Sequence, residues 1–190
     1  MRRENTTKYA LLGLLNFRPM TGYEIRQLIE ESIGHFWHES YGQIYPVLKK
    51  LHFRGLVTRK KCRKAGKPER HEYGISAKGR KLLFEWLSRE PKQERVRNEL
   101  LLKLHFAFMG DVEDHLRNVM QYCKRQKEKI KTFEWIRSDY FKPLQKDPGF
   151  PYWEAELSYG LHITKARLEW AEETISKLKR IARKPVTKGA

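Results

Sequence analysis

The chain has 190 residues, 39% hydrophobic and 33% charged, with 40 Lys and Arg against 23 Asp and Glu for a formal net charge of +17. That length holds one large or two small domains with a core, and the charge points to a polyanionic partner, nucleic acid ahead of an acidic membrane surface. Two cysteines, Cys62 and Cys123, neither in a CxxC pair, exclude a disulfide framework and point to a reducing cytoplasm, while the apolar run YALLGLL has no cleavage site after it and is too short to span a bilayer.

The first helix is expected to start after Thr6 or Thr7, with Tyr9, Leu11, Leu12, Leu14 and Leu15 making it apolar nearly all round, and to stop at Pro19. TGYE, Thr21 to Glu24, has capping-box spacing and opens a second helix buried through Ile25, Leu28 and Ile29. SYGQ, Ser40 to Gln43, repeats the device and predicts a third helix. Its Ile44, Val47, Leu48 and Leu51 gather on one side, and its Gly42, Tyr45, Pro46 and Lys49 on the other, flanked by Gln43 and Lys50. Pro46 meets the carbonyl of Gly42 in such a helix, a cost of up to about 3 kcal/mol in a helix interior. Two helix-breaking residues on the outer side leave a low-profile surface suited to close approach; the alternative is a solvated helix with an incidental kink.

Gly55 ends that helix. LVTRKKCRKAGKPERHEYGIS reads as a β-hairpin in which His71, Tyr73 and Ile75 share a face and KAGKP makes the turn. From Arg59 to Arg70 it carries seven Lys or Arg and one acid, either a binding surface or a solvated face. Ser76 can cap a following helix with Leu82, Leu83, Trp86 and Leu87 as its buried stripe, and Pro91 with KQERVRN suggests a linker. Three helices, a two-stranded hairpin and a further helix in this order make a winged helix.

The second half shows only helical periodicity. Asp111 can cap a long helix in which Val112, Leu116, Val119, Cys123, Gln126, Ile130, Phe133, Arg137 and Tyr140 alternate four and three apart; KPLQKDPGFP breaks it. Leu157, Leu161, Thr164, Leu168, Ala171, Ile175, Leu178 and Ala182 then repeat the spacing. Such seams predict an antiparallel helical hairpin. Trp135, Trp153 and Trp170 add bulk that favours burial against a second subunit, so the expectation is a homodimer with Leu116, Val119, Ile130, Leu161, Leu168, Ile175 and Leu178 at its interface. An intramolecular bundle closed by LLLKLHFAF, Leu100 to Phe108, is the alternative. The domain reading is therefore 1–90 winged helix, 91–110 connecting helix, 111–183 helical dimerisation domain and 184–190 disordered tail, a mainly α chain.

An outward helix face beside a basic hairpin is a DNA-docking pair. Gln43 can bond adenine through two atoms or contact a phosphate, Tyr45 offers ring and hydroxyl, and Lys49 and Lys50 suit phosphates. Arg63, Lys64, Lys67 and Arg70 of the hairpin follow the adjacent backbone or minor groove, and Tyr23 with the start of the second helix can hold one phosphate. Ser40 and Pro46 complete the surface.

YALLGLL, TGYEI, SYGQIYPVLKKLHFRGLV and GKPERHEYGISAKGRKLLFEWL, in this order and spacing, resemble the winged-helix domain of PadR-family transcriptional regulators. RNELLLKLHFA and YWEAELSYGLHITKARLEWAEE resemble the helical C-terminal region of the family's longer members. The resemblance implies a dimeric regulator, most often a repressor, on palindromic double-stranded DNA. It further implies release by a small, commonly aromatic, effector that enters a cavity between the domains. HFW, here His35, Phe36 and Trp37, looks like the segment that helps line that cavity in relatives, with Trp153 assigned to it from the helical half; the alternative is a loop packing its aromatics into the core.

The seven histidines gather no acidic or thiol companions at ligand spacing, and no phosphate-binding glycine loop, nucleophile elbow or HExxH is present, so the reading is neither a metal site, a cofactor nor an enzyme. A protein-interaction scaffold and a nonspecific architectural DNA binder stand as the other function classes.

Overall fold

In the computed structural model, which describes residues 6–35, 41–62, 70–93 and 97–183, the chain divides into two units, Met1–Gln93 and Glu94–Ala190. The first begins with α1, Thr7–Phe17, whose Tyr9, Leu11, Leu12, Leu14 and Leu15 are all buried, as its pattern requires. Arg18 is extended, Pro19 follows, and Met20–Thr21 then forms β1, a two-residue strand that the sequence reading lacks. The hairpin of β2, Val57–Cys62, and β3, Arg70–Ile75, is therefore part of a three-stranded antiparallel sheet of order β1-β3-β2. Met20 faces Tyr73 across β1 and β3, and Val57 faces Ile75 across β2 and β3.

Thr21 also caps α2, Gly22–Glu31, with the capping box complete. Its hydroxyl accepts from the Glu24 amide at 3.3 Å, and its own amide and hydroxyl each donate to Glu24 Oε2 at 2.8 Å. The Thr21 amide, then its hydroxyl, and to a lesser degree Arg18 hold the Glu24 carboxyl below its ordinary value. A depressed carboxylate stabilises the fold above its unfolded pKa, and that contribution disappears as pH falls through the folded one. Thr21→Ala is expected to cost about 1 kcal/mol at neutral pH. The gap to wild type in thermal melts should narrow, without closing, as the medium is acidified through the Glu24 titration, because the hydroxyl's bond from the Glu24 amide does not titrate.

The start of α3 corrects the sequence reading. The helix runs Ile44–Phe53, preceded by a 3₁₀ turn over Tyr41–Gln43, and Gln43 makes no side-chain cap. Pro46 therefore stands third in the helix, where its amide has no intrahelical partner to lose, and the interior penalty is avoided. At the far end Gly55, at φ +67°, completes a Schellman turn. Its amide donates to His52 O and the Leu56 amide to Leu51 O, both at 2.9 Å. Leu51 and Leu56 are buried, and the turn delivers the chain into β2.

Ser76 ties the next element to that turn. Its amide donates to Leu56 O at 3.1 Å and its hydroxyl to Gly55 O at 2.7 Å, while the same hydroxyl accepts from the Gly79 amide to cap α4, Ala77–Leu87. Trp86 of α4 stacks on Tyr9 of α1 at 4.5 Å, over one core that draws on every helix and strand of this unit.

In the second unit Asn98 caps α5, Glu99–His105, and Asp111 caps α6, Val112–Trp135. After a π turn over Ile136–Tyr140 and a 3₁₀ turn over Lys142–Leu144, α7 runs Phe150–Ala182, with Pro151 accommodated in its first turn. α6 and α7 pack through two apolar clusters. One joins Leu116, Val119, Cys123, Ala171 and Leu178, with Leu100 and Leu104 of α5 against it; the other joins Phe133, Ile136, Phe141, Leu157 and Leu161. Between them along each helix lie the buried Gln126 and Thr164. Their side chains donate to carbonyls one turn back on their own helices, Tyr122 O at 3.4 Å and Gly160 O at 2.7 Å.

Two expectations change here. The α6 seam ends at Phe133, because the π turn sends Ile136 and Phe141 inward and leaves Arg137 and Tyr140 exposed. Leu116, Val119, Ile130, Leu161, Leu168, Ile175 and Leu178, placed by the sequence reading at a subunit interface, build the seam within one chain: Leu116, Val119, Leu161 and Leu178 are buried in it, and the other three pack half-buried against its clusters. Among the described residues no helix is long and apolar enough to cross a membrane.

Candidate nucleic-acid interface

Charge is concentrated in the first unit. Residues 1–93 carry 20 Lys and Arg against 9 Asp and Glu, a net +11 of the chain's +17. The helix α3 divides the unit's inside from its outside: Ile44, Val47, Leu48 and Leu51 are buried, while Gln43, Tyr45, Pro46, Lys49 and Lys50 are exposed. The apolar stripe fixes the helix's rotation, so the five outer residues share one presented face.

Tyr45 is held rather than loose, although it is 53% exposed. Its ring lies across Gly22, the first residue of α2, where an added Cβ would stand 2.5 Å from Tyr45 Cε1. Glycine is the residue that allows this seat. Tyr23, the next residue, is exposed beside it. The two tyrosines thus flank the amide end of α2, where the helix dipole and free N–H groups favour an anion such as a phosphate oxygen. The sequence reading had Tyr23 and Tyr45 as separate contributors; the structure sets the Tyr45 ring against Gly22, the residue before Tyr23, a glycine that the sequence reading did not single out.

On the sheet, register places Arg70 opposite Cys62, Lys60 opposite Glu72, and Arg59 opposite Tyr73. Arg70, Lys60, Lys61 and Arg59 are exposed. Arg59 hydrogen-bonds the His71 ring across the strands. Arg59, Lys60 and Lys61 belong to the cation run but were not singled out as site residues; their run of exposed positions on β2 was the available signal. Ser40, Arg63, Lys64 and Lys67 lie outside the described residues, as do Phe36 and Trp37 and the tail 184–190. His35 ends a short 3₁₀ turn, Ile33–His35. Trp153 sits half-buried against the second cluster of the helical unit.

Residues 11–85, from α1 into α4, match the model of the transcriptional regulator PadR-like family, and residues 96–179, spanning α5 to α7, match that of the virulence activator alpha C-terminal region. The chain belongs to the PadR-like family of transcriptional regulators. It is 29% identical to the negative transcriptional regulator PadR of Bacillus subtilis over 92% of this chain and 94% of that protein. The crystal structure of B. subtilis PadR in complex with operator DNA superposes with a TM-score of 0.79 at 27% identity, covering 92% of this chain and 99% of the other. The same protein in complex with p-coumaric acid gives a TM-score of 0.70 at the same identity and coverage. The winged helix and the helical region expected from the sequence are thus those of a PadR-like regulator along nearly the whole chain.

Proposed function

We propose that this PadR-like regulator is a cytoplasmic homodimer that binds a dyad-symmetric operator through two copies of α3, acts as a repressor, and is released by a small aromatic effector; it is not an enzyme. The observation that carries the reading is the exposed face of Gln43, Tyr45, Pro46, Lys49 and Lys50 set on a buried stripe of the same helix. In the major groove Gln43 is placed to bond adenine edges, Lys49 and Lys50 to hold phosphates, and Tyr45 with Tyr23 to seat one phosphate at the start of α2. Arg70 and the hairpin residues Arg63, Lys64 and Lys67 follow the flanking backbone. Ser40 precedes this face in sequence.

The relative solved with operator DNA supports the DNA reading, and the same relative solved with p-coumaric acid supports an aromatic effector. For this chain the effector residues proposed are His35, Phe36, Trp37 and Trp153. An effector shifts operator binding only by its differential affinity for the two arrangements of the dimer. With the α6–α7 seam closed within one chain, the second subunit needs other apolar surface, and Leu101, Leu102, Phe108 and Met109 of the helical unit are exposed.

Selection from random duplex DNA is the test. It should enrich two half-sites related by a dyad and centred about 34 Å apart or a multiple of that. Lys49→Ala and Lys50→Ala should weaken every duplex alike and each reduce the salt slope by roughly two, one phosphate contact from each subunit. Equal affinity for selected and random duplex at matched salt would overturn the reading in favour of an architectural binder.

A further inference from the structure

The winding of the backbone after α6 decides which side chains face out. In the π turn the Phe141 amide donates to Ile136 O at 2.9 Å, closing an i to i+5 ring. Residues five apart stand about 140° from each other around an α-helix, whereas i to i+5 winding returns them to nearly the same side. Ile136 and Phe141 are both buried as a result. The same offset brings Trp135 and Tyr140 together on the outside, 57% and 39% exposed, with ring centroids 6.4 Å apart and planes inclined by 40°.

These two rings, Asp139, Pro143 and Leu144 line a cleft of ≈ 370 Å³, in the size range of small-molecule sites. Its one acid is Asp139, which accepts a hydrogen bond from the Ser138 hydroxyl. Among the described residues Asp139 has no ion-pair partner; the adjacent Arg137 is committed to Glu154. What sets this carboxylate apart is its place in one cleft with two aromatic rings. Ring faces attract cations through their quadrupole, and the carboxylate adds a charge of the right sign and repels anions. The buried Ile136 and Phe141 beneath fix the walls, so little ordering is needed on binding.

We propose that this cleft binds a small organic cation, a quaternary ammonium or a protonated aromatic amine, between Trp135 and Tyr140 and against Asp139. The site is independent of the operator reading and is tested without DNA. Isothermal titration of the full chain with benzyltrimethylammonium should saturate with a dissociation constant of about 1 mM or tighter. The anion 3-phenylpropionate, at equal ionic strength, should show no saturable binding that competes with it. Asp139→Asn and Trp135→Leu should each weaken the cation by about tenfold or more, while Tyr140→Phe, which keeps the ring face, should change it little. The near-isosteric Asp139→Asn, at an exposed position, is the deciding variant. Unsaturable titration of the wild type, or full affinity in Asp139→Asn, overturns the site.

Discussion

Gly79→Ala should lower the melting temperature of the winged-helix unit by roughly 10 °C or more, although alanine stabilises an unobstructed helix interior by about 1 kcal/mol over glycine. An added Cβ would stand 2.1 Å from Leu56 O and 3.0 Å from its carbonyl carbon. That carbonyl belongs to backbone and is held in place by the Ser76 amide, and Ser76 in turn bonds Gly55 O and caps the Gly79 amide. Relief requires moving the first turn of α4 away from the Schellman turn, which breaks the Ser76 clamp. It also loosens the contact of Leu83 with the core. Overpacking of this kind costs typically 1–3 kcal/mol and occasionally more, so about 3 kcal/mol is the expected scale. Circular dichroism melts decide it, and a Gly79→Ala protein that melts with the wild type would show that α4 can move freely.

Gln43→Ala is expected to reduce the preference for operator over random duplex by roughly 30-fold or more, with random-duplex affinity nearly unchanged. A lost bidentate base contact is worth about 1–3 kcal/mol, and a dyad-symmetric dimer loses it twice. Gln43 is exposed and makes no cap to α3, so its removal should leave the melting temperature in place. The pattern differs from that of Lys49→Ala, which lowers both affinities together. Competition binding at fixed salt separates the two, and an unaltered specificity ratio would remove Gln43 from the reading surface.

Much of this was legible in the residues because local chemistry and tertiary packing agree. The all-round apolar α1, the TGYE box and the buried side of α3 each have one low-energy outcome. Where the sequence reading departed from the structure, the deciding interaction lay elsewhere in the chain. Met20–Thr21 is too short to show periodicity and is a strand only because β3 pairs with it. The α6 pattern continues through Arg137 and Tyr140 if winding stays α, but burial of Ile136 and Phe141 against the second cluster favours the wider turn. Seam spacing likewise says that a helix needs a partner without saying which chain supplies it. Hence Leu116, Val119, Leu161 and Leu178, buried inside the hairpin, were expected at a contact between subunits.

Pro46 has a consequence for what α3 can enter. A helix that pushes its first turn toward base edges carries unmet amide hydrogens into a confined, partly dehydrated space, and each stranded donor is unfavourable. At the third position of α3 the pyrrolidine ring leaves no hydrogen to strand. The tip of the helix is blunter chemically than a common helix start, with one fewer demand for water, and Gln43 stands at its leading edge as the polar group free to choose a partner.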